Sequence, residues 1–206
     1  VVAGDIVVPL SGAVGIGAST ATAGISVTFG VEAKDQYGNI GTHSNQTFTV
    51  ILDGLARQQC STLPSSPCSY LVTRSGIMSM SVTKQGVHTK GSPLQVLVNP
   101  DEFYQATVTT RGNGLSEATA GTTATFTILS RDKFSNPLTS GLLRFSVILN
   151  GARYIDVGEE GVSDMGDGTY AVSYLPTVTG QYSISLTRQL LHISGSPFAL
   201  TVHPNV

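Results

Sequence analysis

Thirteen carboxylates, four histidines and two cysteines are the side chains of this chain suited to acid–base, nucleophilic or metal chemistry. General acid–base catalysis needs two titratable groups held across a substrate in a shielded site. The carboxylate clusters are Glu159-Glu160 and Asp164 with Asp167, and both sit beside glycine in turn-like sequence, the setting of a solvated loop. The stretch from Asp164 to Gly168 has a faint likeness to a calcium loop but lacks its spaced ligands and closing Glu. Of the histidines, His43, His88, His192 and His203, no two stand at metal-ligand spacing. No Gly-x-Ser-x-Gly elbow, phosphate loop or dinucleotide fingerprint is present. The sequence therefore predicts a protein that is not an enzyme and has no metal, cofactor or small-molecule substrate.

The cysteines carry more information. Cys60 and Cys68 flank a tip rich in Pro and Ser, Ser61-Thr-Leu-Pro-Ser-Ser-Pro67, between strand-like runs. A disulfide closing so small a loop stabilises by roughly 2–3 kcal/mol through lost chain entropy, and such bridges persist in oxidising compartments. A pair of unbridged thiols in a cytosolic loop stays open as the alternative. Zinc fits less well, since two thiolates leave a tetrahedral site half empty. Asn45-Gln46-Thr47 is an N-glycosylation sequon, with Asn45 as acceptor, and permits a secreted context without arguing for one.

Composition narrows the partners. The chain is 206 residues long, 40% hydrophobic and 12% charged, with a formal net charge of −2. Such a chain can bury a core, and it combines neither the low hydrophobicity nor the high net charge of disordered segments. Its 11 Lys and Arg are scattered, with no basic run to neutralise phosphates, so nucleic acid is not expected as a partner. No apolar stretch is long enough to span a bilayer, and direct membrane insertion within this segment is not expected. The charged fraction is half that usual for globular domains, which suits an adhesin better than a cytosolic scaffold.

The elements that must position these residues come in two copies. Thr22-Ala-Gly24 with Phe29 recurs as Thr119-Ala-Gly121 with Phe126, Asp35-Gln-Tyr-Gly-Asn39 as Asp132-Lys-Phe-Ser-Asn136, and Phe48-Thr-Val-Ile-Leu as Phe145-Ser-Val-Ile-Leu, all at an offset of 97. His88-Thr-Lys-Gly-Ser-Pro-Leu94 recurs as His192-Ile-Ser-Gly-Ser-Pro-Phe198 at an offset of 104, so the second copy holds seven more residues in between. A histidine repeated in this way reads as a packing and hydrogen-bonding residue. A period near 100 residues suits an autonomous domain rather than a solenoid unit, and the expected domains are 1–100 and 101–206. Runs such as Tyr170-Ala-Val-Ser-Tyr174 and Tyr182-Ser-Ile-Ser-Leu186 alternate apolar with small polar residues, as strands with one buried face do. The fold class is all-β, with two tandem immunoglobulin-like sandwiches that lack the Cys…Trp…Cys signature. Asp167-Gly168 marks a hairpin turn, and the first copy has lost it where the cysteines stand, so that a bridge there replaces a turn.

Gly112-Asn-Gly-Leu115, Asp164-Met-Gly-Asp-Gly-Thr-Tyr-Ala-Val-Ser-Tyr-Leu-Pro176, Gly180-Gln-Tyr182 and His192-Ile-Ser-Gly-Ser-Pro-Phe198 together strongly resemble the filamin-type immunoglobulin repeat over residues 106–204. The first copy resembles it through Ala23-Gly24, Asp35–Asn39 and Gly86–Pro93. The resemblance implies a non-enzymatic spacer and docking module, found in actin cross-linkers and cytoskeletal scaffolds and on gamete surfaces as adhesion proteins. In filamins, partners add as a β-strand along the open edge of the third strand, which corresponds here to 47–53 and 144–150. With Phe145, Val147 and Leu149 inward, Ser146 and Ile148 point out; in the first copy Thr49 and Ile51 do so. These four residues are the expected partner-binding edge. The expected partner is another protein. The compartment stays open between the cell surface, which the reading favours, and the cytoskeleton.

Overall fold

The structure, a computed structural model, describes residues 4–40, 46–53, 58–61, 67–158 and 160–205. The chain divides into two compact units, Val1–Asn99 and Pro100–Val206. In the first unit the described strands are β1 (Gly12–Val14), β2 (Thr20–Thr22), β3 (Val27–Glu32), β4 (Thr47–Leu52), β5 (Gln58–Ser61), β6 (Cys68–Tyr70), β7 (Gly76–Lys84), β8 (Val87–His88) and β9 (Leu94–Asn99). In the second they are β10 (Thr109–Arg111), β11 (Glu117–Thr119), β12 (Ala124–Leu129), β13 (Ser146–Gly151), β14 (Ile155–Asp156), β15 (Val162–Asp164), β16 (Thr169–Tyr174), β17 (Gly180–Arg188), β18 (Leu191–His192) and β19 (Phe198–His203).

Each unit pairs two sheets. The second has β11-β19-β17-β13-β14, with β18 hairpinned onto β17, facing β10-β12-β16-β15; the first has β2-β9-β7-β4-β5, with β8 on β7, and β1-β3-β6. Period-2 alternation explains the packing. Val147 and Leu149 of β13, Ile184 and Leu186 of β17, and Leu200 and Val202 of β19 are buried against Phe126 and Ile128 of β12 and Tyr170, Val172 and Tyr174 of β16. The first unit repeats this with Phe48, Val50 and Leu52 of β4 and Met80 and Val82 of β7.

Repeated side chains do repeated structural work. Asp132 Oδ1 accepts the backbone N–H groups of Phe134 and Asn136, both at 2.9 Å, as Asp35 Oδ1 accepts those of Tyr37 and Asn39, also at 2.9 Å. This is the Asx-turn chemistry that closes a bend without a ladder. His88 Nδ1 lies 2.9 Å from Ser92 Oγ and His192 Nδ1 2.8 Å from Ser196 Oγ, and each serine oxygen also accepts a backbone N–H, from Val82 and Leu186. The paired histidines thus fasten the turn into the last strand. Tyr174 donates its hydroxyl to the Gly114 carbonyl, and Tyr70 donates to the Gly17 carbonyl at 2.6 Å. Both glycines are required by close approach, since an added Cβ would lie 2.6 Å from Thr125 O at Gly114 and 2.5 Å from Thr28 O at Gly17. Burial pushes the Tyr174 hydroxyl up to about 12.

Candidate partner-binding face

In the second domain the alternation of β13 places Phe145, Val147 and Leu149 inside, Ser146 exposed and Ile148 half-buried on the outer face. The strand pairs with β17 along its full length, Ser146 opposite Thr187 and Ile148 opposite Ser185. Its other flank is not open along its whole length, as the sequence reading expected. The chain returns as β14, which places Asp156 opposite Ile148 and Ile155 opposite Leu149, and the Val157 N–H donates to the Val147 carbonyl at 3.0 Å. The physical reason is that an unpaired edge leaves its N–H and C=O groups to be satisfied elsewhere, and a two-residue return covers part of that need. Ser146 lies beyond the positions where β14 is paired.

Ahead of β13 the chain opens a groove of about 320 Å³ against β15, lined by Leu142, Leu143, Arg144, Phe145, Val162, Asp164 and Tyr170. Three interactions hold its shape. The Leu142 N–H donates to Asp164 Oδ2 at 2.6 Å, the Leu143 N–H donates to the Tyr170 hydroxyl at 2.9 Å, and the Tyr170 ring meets Phe145 edge-on with centroids 4.9 Å apart. Burial raises the Tyr170 hydroxyl above its ordinary range, so it remains a neutral donor and acceptor. Leu142 itself stands at φ +77° with its side chain 94% exposed. A leucine at left-handed φ, turned into solvent over a groove, carries backbone strain without burying its side chain. Nothing in the sequence signalled that conformation.

The first domain presents the same strand differently. Thr49 is half-buried and Ile51 is 40% exposed on the outer face of β4, but β5 pairs along that strand, Thr47 opposite Ser61, Phe48 opposite Cys60, Thr49 opposite Gln59 and Val50 opposite Gln58. The expected open edge is therefore covered from 47 to 50. Cys60 and Cys68 form a disulfide with Cα atoms 5.3 Å apart. Its geometry differs from the expected loop closure within one hairpin. Cys60 lies on β5 in one sheet and Cys68 on β6 in the other, opposite Phe29, so the bridge joins the two sheets of the sandwich along one side. In the second domain Asp167-Gly168 turns between β15 and β16 as expected, with Gly168 at φ +83° and Asp167 Oδ1 accepting from the Thr169 N–H and hydroxyl. Asn45 and His43 lie outside the described residues.

Among the described residues no group of three or more His, Cys, Asp or Glu could hold a metal ion, and no helix is long and apolar enough to cross a membrane. Asp164 and Asp167, weighed in the sequence as acid–base candidates, fasten backbone instead, Asp164 through the Leu142 and Gly166 N–H groups.

Both units are immunoglobulin-like β-sandwiches. Residues 104–199, within the second domain, match the family model of the Filamin/ABP280 repeat. Filamin-C of Rattus norvegicus is 35% identical over 133 residues, covering 65% of this chain and 4% of that protein. The E3 ubiquitin-protein ligase TRIM71 of Rattus norvegicus is 38% identical over 91 residues, covering 44% of this chain and 10% of the ligase. The matched segments thus span a small part of these relatives. Among solved structures, FdeC, an Escherichia coli adhesin, shares the fold at 21% identity and a TM-score of 0.57, over 98% of this chain and 67% of that one. InvD of Yersinia pseudotuberculosis shares it at 18% identity and a TM-score of 0.53, over 97% of this chain and 59% of that one.

Proposed function

We propose that this chain is a non-enzymatic protein–protein interaction and adhesion module, a tandem filamin-like pair within a larger cell-surface protein. It takes up an extended segment of another protein beside β13, with partner side chains seated in the groove against β15. The observation that carries this reading is the groove itself, with an apolar floor of Phe145 and Tyr170, an exposed Leu142 at its rim and backbone at Ser146 beyond the reach of β14. Ser146 and, once β14 is displaced, Ile148 form the partner edge in this domain, and Thr49 and Ile51 are the corresponding residues of the first. The Cys60–Cys68 bridge supports a surface location, because cytosolic thiol buffers keep such pairs reduced.

A second reading, a spacer and docking segment of an intracellular filamin-like cross-linker or axonemal scaffold, is favoured by the 35% identity to Filamin-C. Non-reducing peptide mapping of the protein from its native source separates the two. A linked Cys60–Cys68 peptide supports the surface reading, and two free thiols support the intracellular one.

A further inference from the structure

We infer that the Cys60–Cys68 disulfide is a latch that holds β5 over the outer flank of β4, so that the first domain admits an extended partner strand there only after reduction. The choice of an extended peptide as occupant rests on the strand-docking reading above; the latch itself does not.

Four observations carry it. First, β5 occupies the outer flank of β4 at four consecutive positions, 47–50, which a partner strand would need. Second, among the described strands β5 pairs with β4 alone, whereas β4 also has β7 on its other side. A four-residue edge strand held by one ladder opens at low free-energy cost compared with the core strands. Third, the disulfide ties that strand to β6, which is anchored independently by its ladder to β3 and by the Tyr70 hydroxyl on the Gly17 carbonyl. Fourth, the second domain has no cysteine, and its equivalent cover, β14, is paired at two positions only. The two domains thus carry the same docking strand with opposite availability: displaceable cover in the second, covalently fastened cover in the first.

Opening requires a dithiol reductant. Its thiolate attacks one sulfur to give a mixed disulfide, and its second thiol then resolves this to the reductant's own cyclic disulfide; the protein's S–S bond gains two electrons and two protons and leaves two thiols. Cys60 and Cys68 are 6% and 3% exposed, so attack passes through fraying of β5, which is the motion the bridge opposes. The core residues Val50, Leu52, Met80 and Val82 pair within the β4–β7 ladder and do not depend on β5 for it.

The test is backbone hydrogen exchange on the whole chain, oxidised and after dithiothreitol, with reduction verified by a mass gain of two hydrogens. The expected result is about ten-fold or greater acceleration at amides of β5 and at those of Thr47–Val50 that face it, as for local opening, with protection of Met80–Thr83 and of the second domain unchanged. The double variant Cys60→Ser, Cys68→Ser should show the same pattern without reductant; if it fails to fold, the reductant series on the natural sequence decides alone. Unchanged exchange at 47–50 in verified reduced protein overturns the latch, because the ladder alone then holds β5. Loss of protection throughout β4, β7 and β9 overturns it also, since the bridge is then a staple for the whole domain. No partner is needed for this readout, so failure of the docking reading leaves it intact.

Discussion

The backbone N–H of Leu142 donates to Asp164 Oδ2 at 2.6 Å, joining the chain entering β13 to the end of β15 across the mouth of the groove. This bond spans 22 residues and fixes the separation of the two walls. Asp164→Ala removes it together with the bond from the Gly166 N–H, and both donors become free to bind water. The expected loss is about 1 kcal/mol, since exposed hydrogen bonds contribute modestly. Denaturant unfolding reads the stability, and the amide shift of Leu142 reads the movement of the wall. A shift confined to residues 165–167 would show that Asp164 serves the turn and not the groove.

The hydroxyl of Tyr174 and the backbone of Gly114 form a second pair of interlocked groups. Tyr174→Phe leaves the buried Gly114 carbonyl without this donor and should cost roughly 1–3 kcal/mol, the penalty for an unsatisfied buried group. Gly114→Ala should cost comparably or more, because its Cβ would meet the Thr125 backbone at 2.6 Å. Tyr70→Phe and Gly17→Ala are the matching changes in the first domain, and urea melts of all four should show losses of similar size in both domains.

In the first domain Asp35 should contribute to the acid limb of stability. The Asn39 side-chain amide, followed by the backbone N–H groups of Asn39, Gly4 and Tyr37, holds the Asp35 carboxyl at about 2, below its ordinary 3.8. A depressed carboxylate stabilises the fold above its unfolded value, and that contribution fades as pH falls from about 4 to about 2. Thermal melts over that window should show destabilisation that is reduced in Asp35→Asn. An identical slope in the variant would assign the acid limb to other groups.

Much of this fold was legible because the strands that build the cores are long enough for period 2 to show. The runs at Phe126, Phe145, Tyr170, Tyr182 and Phe198 all lie in or beside core strands, with buried residues at alternate positions. The offset of 97 also exposed the Asp35 and Asp132 turns, whose role depends on local spacing alone. What escaped were elements of two to four residues, notably β14 and β5, whose existence depends on the flank they cover rather than on their own pattern. That omission made the third strand look like an open edge. The disulfide partners were visible from spacing, but their placement on opposite sheets was not, since a loop of this length fits a hairpin closure equally well. The left-handed Leu142 had no signal, because leucine has no intrinsic preference for that conformation.

Ile148→Lys tests the central claim, that the outer face beside β13 is where the chain binds. Ile148 is half-buried on the outer face, with Asp156 and Ser185 opposite it, so in the free domain the new ammonium stays solvated beside a carboxylate and stability should remain within about 1 kcal/mol. Under a docked strand the same charge must be desolvated, at a cost of several kcal/mol. The measurement is binding of the whole chain to a partner crosslinked to it in its native source, compared for the natural sequence, Ile148→Lys and Ile51→Lys, with melting temperatures recorded alongside. Loss of binding for Ile148→Lys at an unchanged melting temperature, with binding kept by oxidised Ile51→Lys, is the predicted result; undiminished binding by Ile148→Lys, or its unfolding, would contradict the account.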